Sequence, residues 1–262
     1  FQPMRKSGAP DLRIGWNLFA ETVKLLRLAR AQRGVWLSIL GVSWFWAFGA
    51  TVLSQLTVLA KETLGGEASV LTVLLAFFTL GIGIGSLLSA RLLHGDVSAR
   101  HVPFAAFGMS IFTWDFAQAC QAAAGHLATA TDVLTHLQGW RLIIDLILLA
   151  ICGGIFSVPL NAIVQDLSPL AERARIIAAN AVLNAAMMVM AAAAASGLTY
   201  FLRLDSPEIL LSLAVINLGV AIWILRIIPQ ESMRAVLRWY FTTFHGVEVK
   251  GTENIRAAGE HA

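Results

Sequence analysis

The residues best placed to do chemistry are polar side chains that lie inside long apolar runs. Two pairs of amides have the i,i+4 spacing of one helix face: Asn161 with Gln165, and Asn180 with Asn184. One carboxylate, Asp115, interrupts another apolar run. A polar group inside a bilayer is costly, so each of these side chains needs a specific partner or task. Neutral amides are suited to binding a zwitterionic or hydroxylated head group.

Each of these residues also has a purely structural interpretation. The amides could hold neighbouring helices together through hydrogen bonds, which is common in membrane bundles. Asp115 could be a proton-coupling carboxylate, contact a substrate, or form a structural hydrogen bond between helices. Asp145 follows Arg141 by four residues, and this spacing predicts an ion pair on one helix near the outer surface.

Other kinds of chemistry lack the residues they need. The six histidines are scattered along the chain, without the spacing of a zinc site, and no nucleophile elbow or phosphate-binding loop is present. Cys120 and Cys152 lie in apolar runs without metal-ligand spacing. The glycines of LGIGIGS (80–86) lack the spacing of a dinucleotide-binding loop. The sequence therefore predicts no catalytic residue, no metal site and no cofactor.

The composition indicates what must position the polar residues. Of the 262 residues, 57% are hydrophobic and 13% are charged, against about 25% charged in a soluble domain. The mean hydropathy is +0.71. A net charge of +3 on such an apolar chain indicates a membrane rather than a nucleic-acid partner. We therefore expect an all-α integral membrane protein.

Six apolar runs are long enough to cross a hydrocarbon core of about 30 Å. They are continuous rather than alternating, which favours helices over a β-barrel. The predicted transmembrane helices cover residues 35–60, 69–92, 102–124, 141–164, 176–202 and 208–228.

The basic residues predict the orientation of these spans. Sixteen of the 19 Lys and Arg residues lie on the side of the two termini, and the other three are Lys61, Arg141 and Arg203. Cytoplasmic segments of membrane proteins are enriched in Lys and Arg. The sequence therefore predicts that both termini are cytoplasmic.

The segments outside the spans have their own patterns. Residues 15–33 and 230–244 mix aromatic and basic residues at helical spacing, as in helices that lie on an anionic leaflet. After Gly246 the composition becomes that of a soluble protein, and VEVKGTENI (247–255) alternates like a strand. The predicted organisation is an amphipathic linker (1–33), a six-helix unit (34–229), and an interfacial helix leading into a further domain (230–262).

Small residues predict where helices approach closely. Gly81, Gly83 and Gly85 lie in the second predicted span, and Gly153 and Gly154 lie in the fourth. Pro159 removes a backbone hydrogen bond from the fourth span and predicts a kink there.

Several of these segments resemble bacterial lysophospholipid transporters of the major facilitator superfamily. GGIFSVPLNAIVQ (153–165) is similar to the fourth helix of the C-terminal half in that family, and AANAVLNAA (178–186) and SWFWAFGATV (43–52) fit its neighbouring helices. Residues 81–103 resemble, in part, the second copy of the superfamily's loop signature. Its elements would be Gly85, Arg91, Asp96 and Arg100.

The resemblance implies a function and its residues. The chain would be one six-helix half of a transporter that moves lysophospholipid by alternating access in the bacterial inner membrane, with membrane lipids around it and an N-terminal half as partner. The loop residues would form a cytoplasmic latch. The substrate path would include Trp44, Gln55, Asn161 and Gln165, with Asn180, Asn184 and Asp115 as further candidates.

FHGVEVKGTENIRAAGEHA (244–262) resembles the entry strand of a glycerolipid acyltransferase domain, which would re-acylate the transported lipid. We therefore expect the chain to be a piece of a longer fusion protein. Two alternatives stay open: a proton-coupled exporter of drugs or small solutes that uses Asp115, and a set of helices that only anchors the acyltransferase.

Overall fold

A computed structural model of the protein describes residues 18–93 and 98–227, with side chains from residue 23 onward. Several predictions fall outside these ranges: the interfacial helix at 230–244, the strand after Gly246, the acyltransferase-like tail, and Asp96 of the loop signature.

All regular structure in the described residues is helical, which confirms the predicted all-α class. The helices are α1 (Leu18–Arg30), α2 (Arg33–Val58), α3 (Ala68–Leu93), α4 (Val102–Ala122), α5 (Ala130–Thr135), α6 (Leu137–Asp166), α7 (Arg173–Leu202) and α8 (Ser206–Ile227). A π-helical turn, Leu59–Thr63, prolongs α2.

Five of these helices are long and apolar enough to cross a membrane: α2 with its π-helical turn, α3, α6, α7 and α8. They confirm an integral membrane protein. The third predicted span, 102–124, forms α4, which is less apolar because it contains Asp115, Gln118 and Gln121. The count of six spans therefore stays a prediction.

The packing of α4 supports that sixth span. Gly108 of α4 lies against Cys152 of α6, and Asp115 of α4 pairs with Arg141 of α6. Two contacts in this order mean that α4 runs antiparallel to α6, a helix that can span the membrane. Because α4 lies along α6 in this way, it follows the direction in which α6 would cross the membrane.

Helices α3, α6, α7 and α8 are longer than the apolar runs that predicted them, whereas α4 ends two residues before its predicted end. Helix α6 begins at Leu137 rather than 141 and continues through Pro159, and α7 begins at Arg173 rather than 176. Hydropathy detects only the apolar centre of a helix, whereas its polar ends reach the head-group layer.

The main core joins α2, α3, α4, α6 and α8. Its largest fully buried side chains include Met109 and Phe116 of α4 and Leu146 and Phe156 of α6. Helix α7 is different: of its 30 residues only Ile176, Ala179 and Ala195 are buried. Helix α7 therefore lies at the edge of the bundle with most of its surface exposed.

Glycines allow α3 and α6 to touch backbone to backbone. A methyl group added to Gly154 of α6 would come within 2.7 Å of the carbonyl carbon of Gly85, and one added to Gly81 would come within 2.7 Å of the carbonyl oxygen of Ile147. Nothing lies within 4 Å of the corresponding position at Gly83. The predicted close approach is confirmed for Gly81, Gly85 and Gly154. Gly83 takes no part in the contact.

Helix α1 forms a smaller second core with α2, α6 and α7. Ala29 is buried among Val35, Ile39, Val164 and Ile176. The guanidinium of Arg30 lies 5.8 Å from the centre of the Trp36 ring, within cation–π range. The predicted helix at 15–33 is thus observed over 18–30, and its apolar face packs on the bundle.

Candidate binding cavity

A cavity of about 510 Å³ lies between α2, α4, α6 and α8. This volume falls in the range of about 300–1,000 Å³ that is usual for sites that bind small molecules. Its walls are mostly apolar, and a few polar groups interrupt them. The lining residues come from α2 (Gly34, Leu37, Ser38, Leu40, Gly41, Trp44), the segment before α4 and its first residue (Ser98, Ala99, Val102), the end of α6 and the residue after it (Leu160, Ile163, Asp166, Leu167), α7 (Met187) and α8 (Val220, Trp223, Ile224, Ile227).

The helix directions place this cavity in one half of the bundle. It uses the first residues of α2 and the last residues of α6 and α8. If both termini are cytoplasmic, as predicted, this is the cytoplasmic half. Gly34 at the start of α2, Asp166 at the end of α6 and Trp223 on α8 are all exposed, and they form the rim of the cavity.

A second cavity of about 130 Å³ lies further along the same helices. It is lined by Trp44, Ala47, Phe48 and Thr51 of α2, by Ala191, Ala194, Ala195 and Leu198 of α7, and by Ile209, Ser212, Leu213 and Ile216 of α8. Trp44 belongs to the lining of both cavities and lies between them.

A buried hydrogen-bond cluster fixes the Trp44 ring. Its Nε1–H donates to Oδ1 of Asn217 on α8 at 2.8 Å. The Asn217 amide donates in turn to the Ala106 carbonyl oxygen at 2.8 Å and to Ser110 Oγ at 2.9 Å, both on α4. Asn217 is 0% exposed, so its amide has no access to water. Three helices are therefore joined by one amide that the tryptophan orients.

Asn217 is an important residue that the spacing of the amides does not predict. It is the single asparagine in the apolar run 208–228, a position where a polar residue is costly. The search for i,i+4 pairs of amides could not find a residue whose partners lie on other helices.

The predicted amides do not gather in the cavity. Asn161 and Gln165 lie on the face of α6 opposite Leu160 and Ile163, which line it. The Asn161 amide donates to the Ser157 carbonyl oxygen of its own helix at 2.9 Å. Of the predicted path residues, only Trp44 lines the cavity, and whether the amides contact substrate stays a prediction.

The amides of α7 have different surroundings. Asn184 Oδ1 accepts a hydrogen bond of 2.7 Å from Ser43 Oγ on α2, and this bond joins the two helices. Asn180 Oδ1 is buried without a hydrogen-bond partner. Gln55 is 8% exposed on α2 and does not line either cavity. For Asn184 the structural interpretation, an amide that holds helices together, describes the observed contact.

Arg141 forms its ion pair with a different partner from the one predicted. Its guanidinium lies 2.5 Å from Asp115 Oδ1 on α4, rather than pairing with Asp145 on its own helix. Asp145 is 5% exposed, and its Oδ2 has no hydrogen-bond partner. The spacing rule failed here because antiparallel packing brings α4 closer to Arg141 than the next turn of α6.

The loop signature is only partly a loop. Gly85 lies inside α3, where it contacts α6, and Arg91 is exposed in the last turn of α3. Arg100 donates from Nη2 to the Leu92 carbonyl oxygen at 2.9 Å and from Nε to His101 Nε2 at 3.0 Å. Arg100 thereby joins the end of α3 to the start of α4. The latch formed by Arg91, Asp96 and Arg100 together stays a prediction.

His101 accepts that hydrogen bond only when its ring is neutral. Burial lowers the pKa of His101 below its ordinary value, and the neighbouring Arg100 charge lowers it further. Both effects favour the neutral ring that the contact needs. In the described part of the chain, no three His, Cys, Asp or Glu side chains gather as a metal site would require.

Comparison with known proteins gives one informative similarity. The chain is 28% identical, over an alignment of 158 residues, to a protein called lysophospholipid transporter LplT from Photorhabdus laumondii subsp. laumondii. The alignment covers 58% of this chain and 35% of that relative, so the chain spans about a third of the relative's length. No protein-family profile matches the chain. No solved structure matches it either.

Proposed function

We propose that this chain is part of a lysophospholipid transporter, and that the cavity between α2, α4, α6 and α8 holds the single acyl chain of the substrate. The observation that carries the proposal is an apolar cavity inside a membrane bundle with a carboxylate, Asp166, at its rim. The similarity to a relative named as a lysophospholipid transporter supports the substrate class.

The polar groups at the rim suit the other end of such a lipid. An ethanolamine head group carries an ammonium ion, which a carboxylate binds by a charge-assisted hydrogen bond. Asp166 is exposed at the end of α6, where a head group remains in the interfacial layer while its chain enters the cavity. We therefore assign Asp166 to head-group contact, together with Ser38 and Ser98 on the lining.

Transport requires a second unit that moves against this one. We propose a second six-helix half that packs on the exposed side of α7 and on the Asn161 face of α6, with the central pathway between the halves. Helix α7 offers small residues over 191–197 and is mostly exposed there, as a surface that meets another bundle would be. The predicted bacterial inner membrane and cytoplasmic termini belong to the same proposal.

The acyltransferase part of the proposal depends on the tail. If residues 244–262 begin such a domain, the lysophospholipid would leave the transporter on the side where the enzyme re-acylates it. An intact protein that converts added lysophospholipid but never moves it between leaflets would favour the alternative in which the helices only anchor the enzyme.

The test is transport of labelled lysophosphatidylethanolamine by the intact protein in proteoliposomes, with the cavity filled by a larger side chain. Val220 lines the cavity, whereas Val215 on the same helix is 56% exposed and lies outside it. We expect Val220→Trp to abolish transport and Val215→Trp to preserve it. Equal transport by the two variants would refute the assignment of this cavity.

One observation favours a second candidate, a proton-coupled exporter of small solutes. The buried Asp145 has an oxygen without a partner and lies beside the Asp115–Arg141 pair, in the setting of a proton-binding carboxyl. Replacement of Asp145 and, separately, Asp115 by Asn would abolish a pH gradient's effect on transport if this function is right. Unchanged pH dependence in both variants would exclude it.

A further inference from the structure

The two cavities described above are stacked along the bundle. Along α2, the larger cavity extends from Gly34 to Trp44 and the smaller one from Trp44 to Thr51. At a rise of 1.5 Å per residue these stretches measure about 15 Å and about 11 Å. Together they cover about 26 Å of a hydrocarbon core that is about 30 Å thick.

The other helices give the same order. On α7, Met187 lines the larger cavity, and residues from Ala191 to Leu198 line the smaller one. On α8, which runs in the opposite direction, Val220 to Ile227 line the larger cavity and Ile209 to Ile216 the smaller one. Trp44 lines both cavities, so the wall between them lies at this residue.

This wall has a fixed position. Most apolar side chains in a cavity can change rotamer, but the Trp44 indole is held by its hydrogen bond of 2.8 Å to Asn217. Asn217 is fixed by its two hydrogen bonds to α4. Rotating the indole away would leave a buried N–H and a buried amide oxygen without partners, which is unfavourable.

We infer that Trp44 ends the acyl-chain site and sets the longest chain that binds with its full length inside the bundle. The inference rests on the proposed function for the identity of the chain. An acyl chain that enters from the rim at Asp166 has about 15 Å of apolar wall before it reaches the indole. Carbons beyond that point cannot enter the space of about 130 Å³ on the other side.

We expect affinity to rise with the length of the acyl chain only up to a limiting length. Each methylene that becomes buried raises affinity about fourfold. Affinity for the parent protein should rise with chain length and then stop rising once the chain end reaches Trp44. Removal of the ring joins the cavities, so in Trp44→Ala the rise should continue to longer chains.

The experiment measures binding to the intact protein, held in amphipol, by native mass spectrometry. The probes are saturated lysophosphatidylethanolamines of increasing chain length and, separately, fatty acids of the same lengths. Trp44→Leu accompanies Trp44→Ala, since its larger side chain fills more of the space and guards against misfolding. The matched control is Trp46→Ala, because Trp46 is 47% exposed and lines neither cavity.

We expect the chain length at which affinity stops rising to increase in Trp44→Ala, to increase less in Trp44→Leu, and to stay unchanged in Trp46→Ala. The same limit in Trp44→Ala as in the parent protein would overturn the inference, and so would a parent protein that binds neither probe. If fatty acids show the shift but lysophospholipids do not bind, the inference about Trp44 stands and the proposed substrate fails. If lysophospholipids bind but Trp44→Ala leaves the limiting chain length unchanged, the proposed substrate stands and the inference about Trp44 fails.

Discussion

Two regions of this bundle pack in opposite ways. Between α3 and α6, glycines bring the backbones into contact, and a single added methyl group would lie 2.7 Å from the carbonyl carbon of Gly85. Between α2 and α8, the helices are separated by cavities of about 510 and about 130 Å³ and are joined through the hydrogen bond from Trp44 to Asn217.

The difference shows how one bundle can be both rigid and able to bind. A contact made by backbone atoms has no side chain that can move aside, so the α3–α6 contact leaves no space for a ligand. A contact made by large side chains around a cavity can admit one. We therefore expect substitutions at the α3–α6 contact to affect folding, and substitutions near Trp44 to affect binding and, to a smaller extent, folding.

The largest expected effect is at the glycine contact. Gly85→Val should lower the free energy of unfolding by about 3 kcal/mol, at the upper end of the usual cost of overpacking, because the added atoms meet the α6 backbone rather than a movable side chain. Gly83→Val is the matched control, since its position is open. Denaturant unfolding of the purified protein compares the two, and equal stability of both variants would contradict the rigid contact.

A smaller loss is expected at the polar cluster on the cavity side. Asn217→Leu leaves the Trp44 N–H buried without an acceptor, at a cost of about 1–3 kcal/mol. The variant Trp44→Phe removes that donor. The double variant should therefore lose less stability than the sum of the two single variants. Strict additivity in the same unfolding measurement would show that the hydrogen bond does not couple the two helices.

The hydrogen bond from Ser43 to Asn184 connects α2 to α7, the most exposed helix. Hydrogen bonds between membrane helices contribute about 0.6 kcal/mol on average, so Ser43→Ala should cost about that much. Ser54→Ala is the control, because Ser54 Oγ donates only to the Thr51 carbonyl oxygen of its own helix. A loss at position 54 as large as that at position 43 would show that this bond does not hold α7.

The smallest effect is expected at the connection between α3 and α4, and it depends on pH. The lowered pKa of His101 keeps its ring neutral, so its contribution is fully present above its ordinary pKa of about 6.5 and is lost as the pH falls through the lower value in the folded protein. The first amides of α4 should lose protection against hydrogen exchange on acidification, when each rate is compared with the intrinsic exchange rate at the same pH. In His101→Gln this loss of protection should be absent, and a similar loss in that variant would contradict the role of His101.

The fold could be predicted well from the sequence, because the features that indicate it lie within single segments of the chain. The membrane class follows from composition, and the helices follow from apolar runs. The close approach of Gly81, Gly85 and Gly154 follows from small residues at helical spacing. Whether α4 crosses the membrane is harder to predict, because its packing favours a span and its polar side chains lower its hydropathy.

The candidate site was less predictable because its contacts are tertiary. Leu160, Val220 and Trp223 line the cavity because of the way α2, α6 and α8 pack together, and no pattern within one helix reports that geometry. Asn217 has its partners on α2 and α4, which spacing rules cannot find. For the same reason Arg141 was assigned to Asp145, and its actual partner is Asp115.

In the proposed function, the acyl chain of a lysophospholipid occupies the space between α2, α6 and α8. Photo-crosslinking can locate that chain in the intact protein within a bilayer, with a lysophosphatidylethanolamine that carries a diazirine in its acyl chain. We expect labels on Leu160 and Val220 that excess unlabelled lysophospholipid removes and diacyl phospholipid does not. Labels confined to exposed residues such as Ile84 and Ile144, or labels that diacyl lipid removes equally well, would contradict this location of the chain.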